Sequence, residues 1–356
     1  MIDFRYHLVS LISVFLALAV GIVLGAGPLK EAIGDQLTGQ VETLRADKEN
    51  LRTKLAEAES DVASRDAFLA ATSAQLTSGT ITGRRVAFVE LAETDDAVVE
   101  AISAHLVAAG AQVAGTVSVS EQWTSEGQAR YRQALVPSLT DYLPQGSTGS
   151  HDASLARALV LSLVQLAPEG DVFSADALQL QRLLAAGDFV SYSEDIAPAD
   201  MIVVLAPTGT PAGDTTTAPT AQDATSLLIQ QELPRAAVEL AEASVVAGDT
   251  SSALLAAIIG GDDADTVSTV DDVDALTGQI SVPLALAARA AGTVGHFGTG
   301  DGATAVAPAV VRLDEVDRTT RRAAAPEAPP TGGSTDEATG DASDEPSGDA
   351  SDGAEG

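Results

Sequence analysis

Hydrophobic residues fall into three patterns along this chain. Leu8 to Gly27 (LVSLISVFLALAVGIVLGAG) is a continuous apolar run with no charge, in which only Ser10 and Ser13 are polar side chains. At ~1.5 Å per residue, a helix of that length covers the ~30 Å hydrocarbon core of a bilayer. Arg5 and His7 precede the run with Asp3, and Lys30, Glu31 and Asp35 follow it. The bias is small, but it favours an N-terminus in the cytoplasm and the rest of the chain outside. A cleaved signal peptide is the competing reading, with Gly25 and Gly27 as a small-x-small site. The run is longer than the h-region of about 7–15 residues that such peptides carry, so a retained single-pass anchor over residues 1–27 is expected.

Beyond the run, the spacing changes to alternating threes and fours. Val41, Lys48, Leu55, Val62, Leu69 and Leu76 share one heptad position, and Leu44, Leu51, Ala58, Arg65 and Thr72 share the other. Charged residues such as Glu42, Arg45, Asp47, Arg52 and Glu57 lie between them. This spacing predicts a coiled-coil stalk over residues 28–78, roughly 70 Å long at the helical rise. Lys48, Arg65 and Thr72 are polar seam positions of the kind that set register or partner choice. A lone amphipathic helix lying on its own globular region is the alternative.

Ser78-Gly79-Thr80 interrupts the helical pattern, and strands then alternate with helices. Arg85–Leu91 reads as a strand and Gln112–Val119 as the next. Between them is a helix capped by Thr94, with Val98, Val99, Ile102, Leu106 and Val107 as its buried stripe. Further strands are expected at Met201–Leu205, Ala243–Ala247 and Thr266–Val270. Helices are expected at Asp152–Leu166, Ala175–Ala186, Ala224–Ala243, Ser251–Ile259 and Leu276–Ala291. This alternation predicts a Rossmann-like, doubly wound, mostly parallel α/β domain over residues 83–320. A Pro-, Gly- and Thr-rich loop is inserted near residues 207–222. Residues 323–356 hold nine acids and no base among Pro, Gly, Ser, Thr and Ala. Such a composition buries no core and is expected to be disordered.

Charge narrows the choice of partners. The chain has 51 acidic and 19 basic residues, a net charge of −32, and no cysteine. Its surface repels nucleic acid and anionic lipid, and no disulfide or thiol chemistry is available. Arg318, Arg321 and Arg322 form the one basic cluster, read as solvated charges at a domain end.

Candidate chemistry is sparse. The turn after the first strand, Ala92-Glu93-Thr94-Asp95-Asp96, has no glycine to admit a phosphate and three acids to repel one. Gly292–Gly302 (GTVGHFGTGDG) follows a helix rather than opening one, so it reads as turns needing positive φ. No G-x-S-x-G occurs, and His7, His105, His151 and His296 do not pair at ligand spacing. Asp249, Asp271, Asp272 and Asp274 are expected near the C-terminal ends of the last strands, where such sheets bind ligands. Asp249, Asp271, Asp272 and His296 are therefore the candidate metal residues, with helix caps and solvated loop acids as the competing reading. No catalytic group and no cofactor is predicted.

Two stretches carry a resemblance: FRYHLVSLISVFLALAVGIVLGAGPL (Phe4–Leu29) and STVDDVDALTGQISVPLALAARAAGTVGHFGTG (Ser268–Gly300). Both resemble the actinobacterial copper-transporter family typified by mycobacterial copper transport protein B. The resemblance spans about Met1–Leu313. It implies copper efflux, copper homeostasis or an envelope channel, and it also implies envelope and cell-division control through a membrane partner. Copper(I) prefers thiolates and thioethers, and copper(II) prefers imidazoles. This chain offers no Cys, only Met201 beyond the initiator, and scattered histidines. The expectation is a non-enzymatic scaffold or regulator in the cell membrane, a homodimer or paired through the stalk, contacting an envelope or cell-division protein. Copper is expected only through the resemblance.

Overall fold

The computed structural model of the chain describes residues 4–26, 28–144, 146, 149–168, 170–209 and 220–318. The first two helices follow the two hydrophobic patterns. Helix α1 spans Phe4–Ala26 and α2 spans Pro28–Thr77, with Gly27 outside the described residues. Over Phe4–Val23, α1 is long and apolar enough to cross a membrane, and it is the only such helix among the described residues. Helix α2 is surrounded by solvent for most of its length. Only its last turns are covered, where Ser73 and Thr77 are buried at the base of the α/β head.

The head is built on one seven-stranded sheet. Its strands are β1 (Arg85–Glu90), β2 (Gln112–Val119), β3 (Val190–Tyr192), β4 (Met201–Leu205), β5 (Ala243–Ala247), β6 (Ser268–Val270) and β7 (His296–Phe297). The order is β3-β2-β1-β4-β5-β6-β7, parallel throughout except for β3, which runs antiparallel beside β2. Strands β1, β4 and β5 are apolar runs because helices cover both of their faces. Side chains alternate between the faces. Ala87, Val89, Ile202, Val204 and Val246 enter one core with α5 (His151–Val164), α6 (Ala175–Ala186), α7 (Ala221–Leu240) and α8 (Ala253–Ile259). Val86, Phe88, Met201, Val203 and Val245 enter the other with α3 (Asp96–Ala108) and α9 (Leu276–Ala290). Helix α4 (Ala129–Leu139) packs outside α5.

The mostly parallel α/β expectation is met, and most element boundaries fall within a few residues of those predicted. Several details differ. Asp95, not Thr94, caps α3: its carboxylate accepts the Ala97 N–H at 2.9 Å, while the Thr94 hydroxyl turns to the Ala92 carbonyl. Residues 221 and 222 belong to α7, with Thr220 as its N-cap, rather than to the inserted loop. Thr220 and Asp223 cap each other's backbone reciprocally, and a capping box of this kind starts a helix. Residues 210–219 of that loop and the acidic tail 323–356 lie outside the described residues. Strands β3 and β7 and helix α4 were not foreseen. Two or three paired residues are too few to display a period.

Candidate functional site

In open α/β sheets, ligands bind outside the carboxyl ends of the strands, where the strand order reverses. Here that point lies between β1 and β4. The chain moves outward from β1 to β2 and β3, then returns to the other side of β1 to begin β4. A crevice of about 800 Å³ opens there, walled by the Glu90–Asp96 loop, Ser118–Glu121, Trp123, Thr124, Pro207 and Gln230.

Five carboxylates border it: Glu90, Glu93, Asp95, Asp96 and Glu121. No basic side chain is among the lining residues. Glu90 is held by the Ser118 hydroxyl at 2.8 Å, and Asp95 is committed to its capping bond. Trp123 is buried at the floor and meets the edge of Phe189 at 6.3 Å between ring centres. Asp96 in the first turn of α3 opposes the positive end of the helix dipole. The crevice therefore turns phosphate away and draws positive charge. The sequence exposed Glu93, Asp95 and Asp96. Glu90, Glu121, Trp123 and Gln230 were missed, because their convergence depends on β2 and α7 lying beside β1.

The four candidate metal residues do not converge on one point near the last strands. Asp249, after β5, accepts the Gly209 N–H at 3.1 Å, the Ser251 N–H at 2.6 Å and the Ser251 hydroxyl. It thereby shapes the entry to α8. With Asp274 it borders a cavity of about 60 Å³ beside Thr94 and Val98. Asp271 is buried, and its carboxylate accepts the N–H groups of Thr299 at 2.8 Å and Gly300 at 3.0 Å. A side chain at Gly298, which has a φ of 138°, would overlap that carboxylate. The glycine-rich stretch is thus a turn wrapped around Asp271. Gly292 and Gly302 take positive φ as the sequence predicts.

Asp272 has a left-handed φ of 59° and accepts the Thr277 hydroxyl at 3.3 Å. Burial, helped by the charges of Asp271 and Asp274, pushes its carboxyl above the usual carboxylate range. His296 lies apart from these acids. Its Nδ1 is 3.0 Å from the Thr269 hydroxyl, and burial pulls its imidazole below the ordinary value despite a hydrogen bond to the Ala264 backbone. His105, half-buried on α3, shifts the same way for the same reason. Among the described residues, no three His, Asp or Glu side chains come together as metal ligands. Met201 is fully buried in β4 and presents no accessible thioether.

Arg318 departs from its sequence reading. Instead of ending the domain in solvent, its guanidinium pairs with Asp171 and Asp200, beside Arg85. The reason is long-range: the chain after β7 returns to the N-terminal ends of the strands. Arg321 and Arg322 lie outside the described residues.

Fold and site together define a class of protein. A bilayer-length apolar helix leads through a long solvent-exposed helix to a mostly parallel α/β head, whose switch point is an acidic crevice. Residues 1–308 match the family described as "Copper transport outer membrane protein, MctB", and the chain belongs to that family. It is 29% identical over 325 residues to the copper transporter MctB of Mycobacterium tuberculosis (strain ATCC 25618 / H37Rv), covering 86% of this chain and 99% of that protein. It is 28% identical over 336 residues to the copper transporter MctB of Mycobacterium leprae (strain TN), with the same coverage.

Proposed function

We propose that this chain is a membrane-anchored, non-enzymatic scaffold. In this reading α2 pairs with α2 of a second copy, and the head meets a protein of the cell envelope, with cell-division control as its setting. The observation that carries the proposal is the bare apolar stripe of α2. Leu44, Leu51, Leu55 and Val62 are 67%, 66%, 59% and 53% exposed. Burying a leucine or valine is worth about 1.5–3 kcal/mol, so a two-stranded seam gains on every heptad what a lone helix leaves in water. Two copies anchored in one bilayer with the same orientation bring their long helices together in parallel. In that register Asp47 faces the second copy's Arg52 and Lys54 faces its Glu59 with opposite charge, while Asp61 faces its Asp66 with like charge.

The absence of cysteine makes the test direct. Full-length Leu51→Cys and Leu55→Cys proteins in detergent should crosslink on mild oxidation, whereas Thr53→Cys, on the outer face of the heptad, should not. A monomer by light scattering with no crosslink at either seam position would refute the pairing. An envelope partner is tested by photo-crosslinking from crevice positions such as Glu93 in native membranes.

The relatives' name carries copper, and the donors here fit it poorly. The crevice offers carboxylate, hydroxyl and amide oxygens, which are hard ligands, and the single internal methionine is buried.

A further inference from the structure

The joint between α2 and the head is bound by a segment from the far end of the sequence. After β7 the chain returns across the head to the N-terminal ends of the strands, opposite the acidic crevice. There it lies along residues 75–84. Leu313 N–H donates to the Thr80 carbonyl at 3.0 Å, and Val316 N–H to the Thr82 carbonyl at 3.2 Å. The Arg312 guanidinium reaches the Gln75 carbonyl in the last turn of α2 at 3.5 Å. In return, Arg84 donates to the Asp314 carbonyl at 2.8 Å.

Arg318 closes this segment. Its Nε donates to the Gly83 carbonyl at 2.8 Å, and its outer nitrogens pair with Asp171 and Asp200. Arg85 grips the same two acids from the other side, with its guanidinium on Asp171 and its backbone N–H on Asp200. Gly83 has a φ of 76°, and a side chain there would overlap the Val316 carbonyl. The contact thus requires glycine for both conformation and space.

The hold is strong in position and light in apolar burial. Arg312, Asp314, Glu315 and Asp317 are exposed, and Val311, Leu313, Val316 and Arg318 are half-buried. Val311 and Leu313 rest on the edge of the core that holds α3 and α9; beyond them the ribbon is fastened by a few hydrogen bonds and one ion-pair network, so it can detach while the sheet stays folded.

We propose that residues 312–318 are a strap that fixes the angle between α2 and the head, with Arg318 as its fastening. Releasing Arg318 frees the joint at residues 78–83 while the sheet stays folded. The direction in which the head faces from its anchor is then set by seven residues far along the chain.

The test uses full-length protein in nanodiscs, with spin labels at Glu57→Cys on α2 and Glu126→Cys on the head. An excess of unlabelled chain suppresses distances between copies. The intact strap should give one narrow distance distribution. Arg318→Ala, and deletion of residues 312–356, should each at least double its width. Deletion of residues 319–356 alone should leave it narrow. The near-UV circular dichroism band of Trp123 should persist in all of them.

Unchanged widths in both Arg318→Ala and the longer deletion would overturn the proposal, because α2 packing on α9 would then hold the joint alone. Broadening on removal of 319–356 alone would also overturn it. If the longer deletion loses the Trp123 band, Arg318→Ala and Gly83→Ala decide. Both perturb the strap without shortening the chain, and a width unchanged in both refutes it.

Discussion

Asp271 is the residue whose role differs most from its sequence reading. At 4% exposure its carboxylate serves two backbone N–H groups of the turn that follows β7. Charge-assisted bonds of this kind are worth about 1.5–3 kcal/mol, and removing the acceptor strands two donors. Asp271→Ala should therefore lower the unfolding free energy by about 3 kcal/mol, measured by the denaturant midpoint, and Asp271→Asn by less. His296 permits a prediction with a sign. Its folded pKa lies below the 6.5 of the free side chain. The unfolded state thus takes up the proton first as pH falls. The stability this histidine gives is complete above pH 6.5 and is lost as pH falls through its folded value. His296→Gln should shrink the drop in melting temperature between pH 7 and pH 5 relative to the parent chain, with His105 left to act in both. An equal drop in both proteins would rule out the assignment.

At the level of elements, α2 and α7 show two ways of stabilising a helix. Helix α7 begins at the reciprocal caps of Thr220 and Asp223 and then packs against α5 and the sheet. Thr220→Ala should cost about 1 kcal/mol, read from thermal or chemical unfolding of the head. Helix α2 has no such cover over its middle heptads, so in the proposed reading its stability comes from association. Leu51→Asp combined with Leu55→Asp should therefore turn a dimer into a monomer in light scattering while leaving the Trp123 signal of the head intact. A dimer that survives this pair of charges would place the contact in α1 or in the head instead. The heptads were legible because the period of 3.5 is local. The short strands β3 and β7 were not, because each owes its existence to the neighbour it pairs with.

At the scale of the whole molecule, charge and ligand chemistry separate the readings. At the N-terminal ends of the strands Arg84, Arg85 and Arg318 are matched by Asp171, Asp200 and Glu242. The C-terminal side bears the five unmatched carboxylates of the crevice. Titration of the full-length protein in detergent with Cu(I), held by a competing chelator, should show no stoichiometric binding, because among the described residues no thiol or thioether is accessible. Tight one-to-one binding would reinstate copper as this chain's cargo.

What depends on near neighbours can be read along the chain: a bilayer-length apolar helix, a helix with heptad spacing after it, alternating strands and helices, and the lack of thiols. The sequence also marks the acids after β1 as hostile to phosphate. Which distant residues meet depends on how the elements pack. Their packing turned Asp271 into the hub of a turn and set His296 apart from the acids. It gathered Glu90 and Glu121 into one crevice, and it carried Arg318 across 235 positions to Gly83. Periodicity records which face of an element is buried. It does not record which element lies against that face, and ion pairs formed across such separations leave no pattern along the chain.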